Sequence, residues 1–355
     1  MADHRGHHEL RRGLRSTHHT GSRAPVSTTW GRTTTWSGPR PNPVGRTRLM
    51  DAPTIDFSFA PIRTLHHDRA RQIRTLMQSA TQHPTETEVP SAVAVDYCLA
   101  HHVLEGAEAA ARARDAAVFD WYGTHPDAGT PALSTHTLVG PRVVVAPDLE
   151  RLPRSGISET PYYVLGPDTT AAPPALRELV TTACATGARS GFASLLADHA
   201  AVVCLLRRKR LGDTLDSWTI TRLPGTIFCD HVGDPVVLAR DLIHEAGHNW
   251  LNDALAATAC KISDETHFHS PWKKTMRPAF GFLHACWAFP LTMIYTTRVL
   301  EETTGDLHRF LAAYLDQQRG LLSTTADDHA DALSLVSDPG LRQRLHAVHQ
   351  EALGL

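Results

Sequence analysis

Apolar positions recur at helical spacing early in the chain. In "PIRTLHHDRARQIRTLMQSAT", Ile62, Leu65, Arg69, Ile73 and Leu76 share one face and predict an amphipathic helix. The Ala-rich run "SAVAVDYCLAHHVLEGAEAAARARDAAVFDWY" predicts further helix, with no breaker before Gly106. Between residues 130 and 172 the period changes, because "HTLVGPRVVVAPDL" and "PYYVLGPD" are short, β-branched or aromatic, and bounded by Gly and Pro. They read as strands or extended loops. A helix opened by prolines is expected across "PPALRELVTTACATGARSGFASLLADHA", followed by three strand-like runs, "AVVCLLRRKR", "DSWTITRL" and "GTIFCD". After residue 305, "DLHRFLAAYLDQQRGLL", "ADDHADALSLV" and "PGLRQRLHAVHQEAL" predict amphipathic helices that close the chain. The fold class implied is mainly α with a small β-sheet, an α+β arrangement.

Residues 1–49 break this pattern. They are rich in Arg, His, Ser, Thr, Gly and Pro and carry no aliphatic periodicity, so they are expected to be a disordered basic tail or the product of a start assigned too early. Met50 opens "MDAPTIDFSFAPIRTL", where apolar alternation begins, and is the alternative start to Met1. A mostly helical region is expected over 50–170 and a second region over 171–355.

Composition narrows the function. With 355 residues, 42% of them hydrophobic, the chain can bury a sizeable core, and its formal charge of -2 argues against nucleic acid as a partner. Six cysteines without C-x-x-C spacing read as reduced thiols of a cytoplasmic protein. The N-terminus lacks the apolar run of a secretory signal. The longest apolar stretch, "FGFLHACWAFPLTMIY", is shorter than the roughly 20 residues that span a bilayer, so it is expected to be a buried helix and no membrane partner is expected.

The chemistry is concentrated in "DLIHEAGHNWLNDAL". Asp234 and Pro235 mark a helix start, and His244 and His248 then project from one face about 6 Å apart along the axis, close enough to share an ion. Apolar residues all around the helix predict burial, where two imidazoles need a polar partner and a metal supplies one. Gly247 lowers helix propensity and is expected where another backbone approaches closely beside His248. His66–His67 and His101–His102 are expected to be surface residues, since adjacent side chains diverge by about 100° on a helix.

A third protein ligand is expected downstream, in "KISDETHFHSPWKKTMRPAFGFLHACWAFP". Asp264, Glu265, His267 and His269 fall in a polar loop, whereas His284 stands alone on an apolar helix started by Pro278, with small neighbours at Gly281 and Ala288 that would let two helices approach closely enough to share an ion. The reading favours His284 and keeps Glu265 as the alternative. The metal site would then lie between the HExxH helix and the following apolar helix. One chemistry for it is a zinc metallopeptidase, in which Glu245 acts as general base on a metal-bound water and Glu265 completes the ligand set. The longer H-E-x-x-H-x-x-G-x-x-H form is absent, because Leu251 and Ala254 occupy its last two defining positions.

The succession "LPGTIFCD", "DLIHEAGHNWL" and "SPWKKTMRPAFGFLHACWAF" resembles the 2-oxoglutarate-dependent HExxH-type peptide β-hydroxylases associated with ribosomally made peptides. The likeness is concentrated in residues 220–290, where a Trp, an Arg-Pro and a Leu-His follow the motif. The resemblance implies an Fe(II) centre held by His244, His248 and His284, with O2 and 2-oxoglutarate as co-substrates and a precursor peptide as substrate. It further implies that Arg277 binds the distal carboxylate of 2-oxoglutarate, with Lys273 or Lys274 as alternatives. Glu245 then becomes a supporting residue for a ligand or a bound water. Trp272 is expected to pack rather than to react. A third reading, a non-catalytic binding protein with structural histidines, predicts no bound metal.

Overall fold

Alternation at period two in three neighbouring strands divides the interior into two cores. The computed structural model describes residues 55–81, 93–154 and 160–355, together with the strand β1 (Ser27–Thr29). The rest of the stretch 1–49, and Met50, lie outside the described residues. The main sheet contains β2 (Ser134–Thr137), β3 (Gly140–Val145), β4 (Val202–Arg208), β5 (Asp216–Trp218) and β6 (Thr226–His231). Its order is β1-β5-β6-β4-β3-β2, with β3, β4 and β6 parallel and the outer pairings antiparallel. Val143, Val145, Val202, Cys204 and Phe228 face one core, while Val144, Val203, Leu205, Ile227 and Cys229 face the other. The three runs after residue 200 are therefore strands, as their β-branched composition predicts. "PYYVLGPD" is extended chain joined to the rest by a bridge between Arg154 and Pro161.

Helices cover both faces. α1 (Ala60–Thr81), α2 (Val93–Ala113) and α3 (Ala116–Thr124) lie between β1 and β2 in the chain, and α2 packs on the first core. Gly106 keeps α2 close to α3, since a Cβ there would lie 2.0 Å from the Tyr122 ring. The predicted helix after residue 172 is interrupted: α4 (Pro174–Gly187) passes through a π-turn at Ala188–Phe192, with Gly191 at φ 89°, into α5 (Ala193–His199).

Two long helices fill the second core. α6 (Pro235–Ala257) carries the HExxH motif, and the Asp234 side chain accepts from the Val236 and Val237 amides at 2.8 and 3.3 Å, the cap that the sequence signals. α7 (Ala279–Leu300) contains the long apolar stretch and is buried over nearly its whole length. Before it, the segment expected as a polar loop forms a hairpin, β7 (His267–Ser270) with β8 (Thr275–Pro278), which turns at Lys274 with φ 52°. Phe268 packs on Phe282 and, in the turn, Trp272 stacks on Phe289, so its apolar contacts do not follow a period of two. Three amphipathic helices, α8 (Gly305–Ser323), α9 (Ala326–Ser334) and α10 (Pro339–Leu353), follow and contribute Leu311, Leu315, Leu322, Leu333, Leu341 and Leu345 to the same core. The fold is thus mainly helical with a small sheet. Among the described residues no helix is long and apolar enough to cross a membrane.

The first helix corrects a detail of the pattern. Its buried stripe is Ile62, His66, Ala70, Ile73 and Met77, one residue on from Leu65 and Leu76, which are only partly covered. A histidine sits where the period alone would place an aliphatic side chain, because it finds a carboxylate inside.

Candidate functional site

α6 is buried on all sides through its middle, so the motif residues have no water to satisfy them: His244 is 1% exposed, and Glu245 and His248 are 0% exposed. One helical turn separates the two histidines, and their Nε2 atoms face each other at 3.2 Å with the rings nearly perpendicular, at 87°. That separation matches two nitrogens on one cation, since ligands about 2.0–2.1 Å from an ion lie roughly 3.0–3.4 Å apart at tetrahedral or octahedral angles. Burial, with the charges of Arg240 and Lys273, pushes the His244 imidazole down to about 3. Burial and the neighbouring His244, His284 and Arg277 push His248 well below its ordinary value. Both rings are therefore neutral near pH 7 and hold a lone pair for a metal.

His284 of α7, also 0% exposed, reaches the same cluster. It meets His248 through the other ring nitrogen, Nδ1 to Nδ1 at 3.1 Å, so the three rings form a chain with His248 in the middle. The donors that lie within 4.8 Å of one another are those of His244, His248 and Glu245. Glu245 is fixed from the sheet, because the Ser217 hydroxyl on β5 donates to its Oε1 at 2.6 Å. Phe280 lies 4.3 Å from the His284 ring and Phe289 4.8 Å from His244, which hold both imidazoles in place. Trp272 stacks on Phe289 at 4.6 Å and donates to Gln318 at 2.8 Å, which makes it a packing residue one ring removed from His244.

Two cations border the cluster. Arg277, half-buried on β8, lays its guanidinium over Gly281, where an added Cβ would be 2.9 Å from Nη2. The space expected to let two helices approach is occupied by this side chain, one turn before His284. Desolvation by burial lowers the Arg277 pKa, and no carboxylate among the described residues offsets it. Lys273 is also half-buried, acts on both His244 and Arg277, and its pKa is lowered chiefly by burial. Lys274 is exposed at the hairpin turn. The helices themselves approach at Gly247, whose carbonyl accepts from Trp287 Nε1 at 2.9 Å and whose missing Cβ leaves room for Leu291. The close neighbour at Gly247 is a pair of side chains and not a backbone.

Asp264, Glu265, His267 and His269 are exposed, and Glu265 joins no group of donors with the motif histidines. The sequence holds no local sign of Ser217, whose contact with Glu245 spans 28 residues and depends on sheet order. It also concealed a second cluster. His66, His199 and Asp253 converge on the far side of α6, and His101 and His102 are buried under β6, with His102 donating to Thr226 at 2.9 Å. The expectation that these pairs lie at the surface is corrected for His66, His101 and His102. His67 alone is exposed, as a divergence of about 100° between neighbours requires. No family model matches the sequence, and no curated protein matches it.

Proposed function

We propose that the chain is an Fe(II)- and 2-oxoglutarate-dependent oxygenase that hydroxylates the β-carbon of a residue in a ribosomally synthesised precursor peptide. The observation that carries this reading is the pair of facing Nε2 atoms at His244 and His248, bordered by a third buried histidine and by the Arg277 guanidinium. Three imidazoles suit Fe(II) and leave positions for small ligands. A half-turn of the His248 ring about Cβ–Cγ exchanges Nε2 with Cε1, the ring atom between its two contact nitrogens, and presents one nitrogen toward both His244 and His284. When bound, Fe(II) with O2 and 2-oxoglutarate supplies the oxidising power that converts C–H to C–OH, with succinate and CO2 as co-products. The chain's own residues hold and orient. Arg277 offers a planar fork to a carboxylate, and Lys273 adds a second positive charge without touching the ring nitrogens. Glu245, fixed by Ser217, steadies the neighbouring ligand histidine or a water. Phe280, Phe289 and Trp272 wall the cluster with rings that exclude water.

A second reading, a zinc metallopeptidase, is favoured by one observation: Glu245 is the carboxylate within reach of both motif histidines, where a general base would stand. The exposed position of Glu265 leaves that reading without its expected third ligand. Incubation of the purified chain with Fe(II), 2-oxoglutarate, O2 and a candidate precursor peptide separates the two. Succinate together with a peptide that has gained one oxygen atom supports the oxygenase. Peptide cleavage with zinc, indifferent to 2-oxoglutarate, supports the peptidase. Glu245→Gln should reduce oxygenase turnover only in part but should abolish peptidase turnover.

A further inference from the structure

Beyond His248 on α6, a second set of donors is assembled that takes no part in the proposed reaction. Asp253 lies five residues further along, which turns it about 140° around the helix and about 7.5 Å along it. There its carboxylate meets His66 of α1 and His199 at the end of α5, all three side chains being 5% exposed or less. His66 Nε2 is 2.9 Å, and His199 Nδ1 3.2 Å, from the same oxygen, Oδ2. The Tyr97 hydroxyl of α2 donates to Oδ1 at 3.4 Å, and its ring stacks on His66 at 4.2 Å.

Hydrogen bonding accounts for only part of this. His66 is aligned with Oδ2, whereas His199 Nδ1, 3.2 Å from the same oxygen, is poorly aligned for a hydrogen bond to it. A ring nitrogen that close to an oxygen, with its in-plane axis directed past it, has the geometry of two donors facing one cation. Ligands on a tetrahedral ion at about 2.0–2.1 Å are roughly 3.3 Å apart. The three donor atoms all lie within 4.8 Å of one another. A fully buried carboxylate also requires a compensating charge. The Tyr97 hydroxyl, donating to Oδ1, orients the carboxylate.

We propose that His66, His199 and Asp253 form a second divalent-metal site, closed to solvent and structural in role, in which a borderline ion such as zinc ties α1 and α5 to α6. Two imidazoles and one carboxylate are a donor set that zinc accepts. The inference does not depend on the reaction assigned to the first cluster.

The test uses the full chain carrying His244→Ala and His248→Ala, which removes the first pair of donors. After chelator treatment and dialysis against zinc alone, elemental analysis should find one tightly held zinc per chain, and two metal equivalents in the unsubstituted chain. Adding His66→Gln or Asp253→Asn should remove the remaining equivalent. Retention of no zinc by the His244→Ala/His248→Ala chain overturns the proposal, as does retention unchanged by Asp253→Asn. Because substitution of a buried carboxylate can unfold the chain, Co(II) is also titrated into the His244→Ala/His248→Ala chain. Ligand-field absorption saturating at one equivalent supports a site built from nitrogen and oxygen donors. Thiolate charge-transfer absorption, or no saturable band, overturns it.

Discussion

The two sides of α6 carry similar donors in different company. Near its middle, His244 and His248 meet His284 beneath a hairpin that brings Arg277 and Lys273, both half-buried; Asp216 acts on Lys273, whereas burial alone acts on Arg277. Near its C-terminal end, Asp253 meets His66 and His199 with a tyrosine and three surrounding helices, and every side chain is closed off from solvent. Histidine content does not distinguish the two. What differs is the surroundings: each cluster contains one buried carboxylate, Glu245 or Asp253, but the first is also bordered by two half-buried cations, Arg277 and Lys273.

Substitutions on the two sides should therefore fail in different ways. The largest effect is expected from His248→Ala, which removes the central ring of the chain His244–His248–His284; metal at the first cluster and turnover should both be lost, as elemental analysis and a succinate assay would show. Arg277→Ala should come next, leaving metal content intact while raising the half-saturating 2-oxoglutarate concentration about 10- to 100-fold, the scale expected when a charged hydrogen-bonded partner is removed. Arg277→Lys should recover part of that loss, and Lys273→Ala should cost less. If Lys273→Ala proves the more damaging of the two, the lysine holds the carboxylate.

Acid should act on the histidines away from the hairpin through stability. His102 accepts the Leu165 amide at Nδ1, 3.2 Å away, and burial together with His101 pushes its pKa down to about 3. The unfolded chain takes up a proton on this ring near pH 6.5 while the folded chain refuses it, so unfolding binds protons below about 6.5 and stability falls as pH drops from there toward 3. Above that range the contribution is constant. His329, pushed to about 3 by burial, adds to the same slope. Thermal midpoints measured from pH 8 to pH 4 should be flat at first and then decline, and His102→Gln should flatten part of the decline. The smallest effect is expected from Ser217→Ala. It removes one hydrogen bond to the Glu245 carboxylate, roughly 1.5–3 kcal/mol, and should lower turnover with little change in the metal bound.

Much of this division was legible in the chain. The Asp234–Pro235 start, the all-round burial of α6 and the apolar run of α7 are local signals, and each is found in the structure. His284 stands out in the sequence as a lone histidine in an apolar helix, and in the structure it lies 3.1 Å from His248. The closed cluster was not legible. His66 and Asp253 are 187 residues apart, and no local period can show that a histidine on α1 faces inward to meet a carboxylate. The hairpin β7–β8 was missed because its strands lack apolar alternation. Gly281 stands out in the sequence for its small size, but the space it leaves holds Arg277, a partner four residues back in sequence that reaches it only after the hairpin turns into α7.

The central claim is that the first cluster holds Fe(II) and, beside it, 2-oxoglutarate. Anaerobic titration of the Fe(II)-loaded chain with 2-oxoglutarate, followed by visible absorption, tests it without any peptide. A saturable charge-transfer band that is absent in His248→Ala and needs more 2-oxoglutarate in Arg277→Ala is the predicted result. A chain that binds metal at His244 and His248 yet shows no band and no affinity for 2-oxoglutarate would contradict it.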